Sequence, residues 1–108
     1  MWRYEWRGGE QRRPWRLVGP DGETVAWSEG DHADLDSARR AVDVFRGGCV
    51  RLTYRAYEDP DGRGWYWQAS WGVGGLMVAW SGRFWATRAE ADDAGRRVER
   101  HAPRAVAV

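Results

Sequence analysis

The chain has 108 residues, 43% hydrophobic and 31% charged, with a net charge of +1. That length holds one domain with a real core, and the balance excludes a disordered chain and one drawn to nucleic acid or lipid by bulk charge. No apolar run approaches the roughly 20 residues that a membrane helix needs.

All 17 basic residues are arginine, while lysine, isoleucine and asparagine are absent. The three missing types have AT-rich codons, so a GC-rich coding sequence accounts for the arginine without invoking phosphate recognition. The opening Met1-Trp2-Arg3-Tyr4-Glu5-Trp6 has no apolar leader segment or small-residue cleavage site, so a cytoplasmic protein is expected.

Trp2 to Arg7 alternates aromatic and charged residues, which predicts a half-buried strand. Gly8-Gly9 marks a turn, and Trp15 to Val18 reads as a second strand. Gly19-Pro20-Asp21-Gly22 then closes a hairpin with Thr24 to Ser28. Asp34 is placed to cap a helix to about Phe45, with Leu35, Ala38, Val42 and Phe45 on its inner face and Gly47-Gly48 at its end. Cys49, the single cysteine, has no partner for a disulfide and no zinc-ligand spacing around it, so it reads as a small buried residue.

A long strand is expected over Val50 to Glu58. Asp59-Pro60-Asp61-Gly62 turns the chain into Trp65 to Trp71, and Gly72-Val73-Gly74-Gly75 turns it into Leu76 to Ser81. Thr87-Arg88-Ala89-Glu90 is a capping box, opening a helix whose inner face is Ala91, Ala94, Gly95 and Val98. The tail from Arg104 to Val108 reads as a short last strand.

The second half repeats the first. Val25-Ala26-Trp27-Ser28 recurs as Val78-Ala79-Trp80-Ser81, and the ungapped alignment of Gly19–Arg51 with Gly72–Arg104 has ten identities in 33 positions. The implied architecture is α+β: two tandem β-β-β-α-β repeats, about residues 1–52 and 53–108, in one domain. They share one antiparallel sheet with both helices on one face. Small-residue helix stripes fit closely over large strand rings at constant total volume. Fused copies satisfy each other's sheet edges, which predicts a monomer.

Trp15-Arg16-Leu17, the glycine turn, Val25-Ala26-Trp27-Ser28-Glu29-Gly30 and an alanine- and arginine-rich helix together resemble the YegP-like domains, also called the DUF1508 family. Trp65-Tyr66-Trp67, Val78-Ala79-Trp80-Ser81 and Thr87-Arg88-Ala89-Glu90-Ala91 repeat the likeness. It implies tandem units with the last strand of each exchanged into the other. Val50–Glu58 would then serve both halves, and the tail would pair with the first. Fragments 1–48 and 49–108 would not fold separately. Asp31 and Phe84 hold the place of the family's aromatic after the serine strand, and only Phe84 fits. Asp21 and Gly74 replace its usual asparagine. The resemblance implies no activity.

Nine tryptophans make strand phase the deciding question. Strict alternation puts Trp2, Trp6, Trp15, Trp27, Trp65, Trp67, Trp71 and Trp80 on one inward face. The opposite face then carries Arg3, Glu5, Arg7, Arg16, Ala26, Ser28, Arg51, Arg55, Tyr57, Tyr66, Gln68, Ala79 and Ser81.

No catalytic set converges. Ser28 repeats as Ser81 without a repeated histidine beside it, since Trp85 aligns with His32, and no nucleophile elbow, metal-ligand spacing or cofactor motif is present. His101 suits the end of the second helix, where a cation meets the helix dipole. The expectation is a non-enzymatic interaction module without cofactor or metal.

One alternative is a weak single-stranded nucleic-acid binder using Arg16, Arg51, Arg55, Tyr57 and Tyr66, with Trp85 as a lid over the core edge or a stacking residue. Another is carbohydrate binding on exposed Trp65, Trp67, Trp71 and Trp85.

Overall fold

A computed structural model describes residues 1–6, 14–29, 34–72 and 74–107. The sequence features at Arg7, Gly8-Gly9, Gly30, Asp31, His32, Val73 and Val108 lie outside the described residues.

Strands β1 (Arg3–Trp6), β2 (Trp15–Val18) and β3 (Thr24–Ser28) precede helix α1 (Leu35–Gly48). Strands β4 (Thr53–Glu58), β5 (Trp65–Ser70) and β6 (Met77–Trp80) precede α2 (Arg88–His101), and β7 (Val106–Ala107) closes the chain. One seven-stranded sheet has the order β4-β5-β6-β3-β2-β1-β7. It is mixed: β7 runs parallel to β1, pairing Arg3 with Val106 and Tyr4 with Ala107, whereas the other pairings are antiparallel. The antiparallel expectation fails at that one pair because β1 and β7 lie at opposite ends of the chain, so no hairpin forces them to run in opposite directions.

Both helices start where their caps place them. The Asp34 carboxylate accepts from the Ser37 N–H at 2.7 Å, and the Thr87 hydroxyl oxygen accepts from the Glu90 N–H at 3.2 Å. Both end alike. Gly47 and Gly48 stay helical, and a three-residue 3-10 turn follows at Cys49–Arg51, as another does at Ala102–Arg104. Val50 and Arg51 are therefore not strand residues. β4 starts at Thr53 and pairs within the described residues with β5 alone, so it forms a sheet edge and does not serve both halves.

Two tyrosines tie each half to the other. The Tyr4 hydroxyl donates to the Ala102 carbonyl at the end of α2, and Tyr54 donates to the Cys49 carbonyl at the end of α1, both at 2.9 Å. Each carbonyl also accepts from a backbone N–H of its 3-10 turn, Ala105 for Ala102 and Leu52 for Cys49, so the phenol takes the second lone pair. Burial pushes both phenols above their ordinary range. It also raises the Cys49 thiol, which is fully buried and donates to the Arg46 carbonyl.

The core joins both helices to one face of the sheet. Val42 and Phe45 of α1 and Val98 of α2 meet Tyr4, Trp15, Leu17, Ala26, Trp67, Ala69 and Ala79. Leu35, expected inward, is instead exposed at the first turn of α1. The small-residue stripe does its expected work at Gly95, where a Cβ would stand 3.4 Å from Cγ of Trp67; α2 therefore lies close over that ring. Trp15 packs against Phe45 at 4.8 Å between ring centroids and edge-on to Tyr4 at 5.7 Å.

Candidate functional site

The sheet has a second face with no helix on it among the described residues. Residues paired directly across antiparallel strands share a face, and neighbours along a strand alternate. The register thus draws one continuous row: Glu5, Arg16, Trp27, Trp80, Gln68 and Arg55. It crosses six strands, a span of about 24 Å at the usual strand spacing.

This row corrects the expected phase of β3 and β6. Ala26, Ser28, Ala79 and Ser81 are buried on the helix side, while Trp27 and Trp80 are half-buried on the open side. The cause is a pair of bulges. Leu17 pairs with Ala26 and Val18 with Thr24, which leaves Val25 extra; Ala69 pairs with Ala79 and Ser70 with Met77, which leaves Val78 extra. Val25 and Val78 both pack against the core, and each strand resumes alternation one step out of phase. Of the nine tryptophans only Trp15 and Trp67 are fully buried.

Ser28 and Ser81 have matching structural work. The Ser28 hydroxyl oxygen accepts from the Trp15 N–H at 3.1 Å, and that of Ser81 accepts from the Trp67 N–H at 3.4 Å. Ser81 also donates to the Arg83 carbonyl at 2.8 Å.

The open face carries an aromatic cluster at its β4–β6 end. Tyr57 and Tyr66 are cross-strand partners with ring centroids 5.9 Å apart. Tyr66 meets Trp80 edge-on at 6.3 Å and Phe84 at 5.8 Å. Phe84 arrives from the loop after β6, and the Arg63 guanidinium sits 4.8 Å above its ring. Asp59, 6% exposed, holds Arg63 through its carboxylate at 2.8 Å, and that bond keeps the Asp59 carboxyl below its usual range. The turn chemistry of residues 59–63 thereby positions a cation over a ring, a role the sequence reading did not assign.

At the β1–β2 end, Glu5 accepts from Arg3 at 2.7 Å and from Arg16, whose other side donates to the Thr24 hydroxyl at 3.0 Å. The bond from Arg16, more than that from Arg3, holds the Glu5 carboxyl low. Two arginines thus share one carboxylate.

Of the expected binding residues, the structure brings Arg16, Arg55, Tyr57 and Tyr66 onto this face and adds Trp27, Trp80, Phe84 and Gln68. Arg51 is not among them. It sits in the 3-10 turn after α1, because the chain has not yet entered the sheet there. Trp85 is not on this face either. It exchanges two 2.7 Å backbone hydrogen bonds with Trp65, and its half-buried ring packs against the helix-side core, alternating with Phe84. The carbohydrate set is likewise not gathered: Trp67 is fully buried, and Trp71 is 45% exposed beyond the far end of β5.

His101 lies in the last turn of α2, stacked on Trp2 at 4.5 Å. Among the described residues no group of three His, Cys, Asp or Glu side chains could hold a metal ion, and no helix is long and apolar enough to cross a membrane.

No protein-family model and no curated protein matches the chain. Solved structures do share its fold. The UPF0339 protein SO3888 from Shewanella oneidensis superposes with a TM-score of 0.74 over 98% of this chain and 88% of that one, at 14% identity. The protein of unknown function YegP from E. coli gives a TM-score of 0.74 over 98% and 90%, at 16% identity. The chain therefore has the YegP-like α+β fold, with two helices and a single seven-stranded mixed sheet among the described residues.

Proposed function

We propose that this chain is a non-enzymatic binding module, a cytoplasmic monomer of the DUF1508 family built by internal duplication. In this reading its open sheet face holds single-stranded nucleic acid. The duplication is supported by the matched tyrosine bonds, serine bonds and bulges in the two halves.

The observation that carries the binding reading is the cluster of Tyr57, Tyr66, Trp80 and Phe84, on a face that no helix covers among the described residues, beside Gln68 and Arg55. Rings on an open sheet accept unstacked bases, each base contributing about 1–3 kcal/mol. Gln68 supplies both a donor and an acceptor for a base edge.

The electrostatic share is small. Arg3 and Arg16 divide Glu5, Arg63 is matched by Asp59, and Arg55 adds one charge. About two net phosphate contacts predict a slope of log affinity against log salt near −1.4.

Fluorescence anisotropy with labelled mixed-sequence RNA and DNA tests this. Saturable binding at low salt with that shallow slope, at least tenfold weaker in the Tyr57→Ala/Tyr66→Ala variant, is expected. No binding at low salt, or binding that the variant leaves unchanged, refutes it.

A further inference from the structure

On the helix side, a cleft of about 470 Å³ opens between the β2–β3 turn, the loop after β6 and one face of α2. Trp2 and Trp85 contribute two indoles to its wall. Asp21 and Glu23 enter from the turn, Glu90 and Asp93 from the helix, against Arg83 and Arg97. Four carboxylates thus face two guanidiniums, in a chain whose net charge is +1.

Arg83 already shows what the cleft accepts. Its guanidinium sits 5.0 Å from the centroid of the Trp85 ring and pairs with Glu23. That is a cation on an indole face, steered by a carboxylate. Glu23 and Arg83 are 49% and 44% exposed, and so open a pair contributes about 0–1 kcal/mol. A competing cation can therefore displace Arg83 at little cost. With that pair set aside, and with Asp93 matched by Arg96 at 3.3 Å, Asp21 and Glu90 still outnumber Arg97, so an incoming cation is attracted rather than exchanged at par.

We propose that this cleft binds a small organic cation, a guanidinium or ammonium group on a short alkyl chain, with Arg83 as its intramolecular stand-in. The volume lies within the usual range for small-molecule sites. The inference is independent of the open-face reading, since the cleft and the aromatic row lie on opposite sides of the sheet.

The test is an NMR titration of the full chain with agmatine, following the tryptophan indole N–H resonances. Saturable shifts are expected at Trp2 and Trp85, assigned with Trp2→Phe and Trp85→Phe, with a Kd at or below about 1 mM. Glu23→Gln should weaken binding at least threefold. Arg83→Gln, which removes the internal competitor, should tighten it at least threefold; both positions are exposed, and circular dichroism verifies the fold of each variant. Three outcomes overturn the proposal: no saturable shift at the two indoles, an Arg83→Gln variant that binds agmatine no tighter, or equal binding of a neutral disaccharide.

Discussion

On the helix side of the sheet Trp15 and Trp67 are sealed beneath α1 and α2; on the other side Trp27 and Trp80, in the neighbouring strands, keep part of their rings in water. All four are tryptophans in short strands of the same sheet. The difference comes from register. β2 and β5 keep simple alternation from Trp15 and Trp67 onward, whereas β3 and β6 each carry one extra residue that turns the following ring outward. Two bulges thus divide one residue type between a core and an open surface.

Removing a bulge breaks that division most severely. Deleting Val78 should return Trp80 to the helix side, where Ala79 now leaves room only for a methyl group, and cooperative unfolding should be lost in a denaturant titration. A variant that still unfolds cooperatively with its original midpoint would show that the bulge does not set the phase. Truncating one ring on each face comes next. Trp67→Ala should cost about 3–5 kcal/mol, as for other buried large-to-alanine changes, and Trp80→Ala less than half of that. Equal losses in chemical denaturation would mean that the open face is as much a core as the helix side.

Gly82 offers a smaller test of the same contrast. It has φ +68°, and a methyl group there would overlap the Trp27 indole. Gly82→Ala should therefore destabilise by about 1–3 kcal/mol and disturb the open face without touching the core. Unchanged stability together with unchanged indole resonances for Trp27 would contradict that packing.

The smallest expected effect is confined to the helix side. Burial raises the Tyr4 and Tyr54 phenols, while in the unfolded chain a phenol titrates near about pH 10. Their contribution is fully present below that value and is lost as pH rises beyond it, because the unfolded chain ionises first. Melting temperature should fall above about pH 10, and the Tyr4→Phe/Tyr54→Phe variant should fall less steeply. Parallel curves would place the alkaline transition elsewhere.

Much of the fold was legible because its signals are local. Trp15–Val18 and Thr24–Ser28 are bounded by turn residues, and Asp34 and Thr87 cap the helices as their side-chain chemistry requires. The pairing of the tail with the first half is what the family resemblance implied, and β7 does pair with β1. What escaped sequence reading depends on a partner strand. Val25-Ala26-Trp27-Ser28 looks like simple alternation, and only its register against Leu17 and Val18 exposes Val25 as the extra residue.

The same holds for the site. Tyr57, Tyr66 and Arg55 were legible because β4 and β5 have no bulge at those positions. Trp27 and Trp80 were hidden by the phase reversal. The repeated tetrapeptide was the available signal: two copies keeping the same tryptophan beside the same two small residues mark a shared local geometry.

The measurement that bears most directly on the open face uses the nine indole N–H signals as reporters of which face is touched. An unstructured oligonucleotide of about 8 nucleotides, within the range covered by a comparably sized single-strand-binding fold, is titrated into the chain at low salt and followed by NMR. The account predicts saturable shifts at Trp27 and Trp80 with Trp15 and Trp67 unmoved; silence at Trp27 and Trp80, or shifts confined to Trp2 and Trp85 in the helix-side cleft, would contradict it.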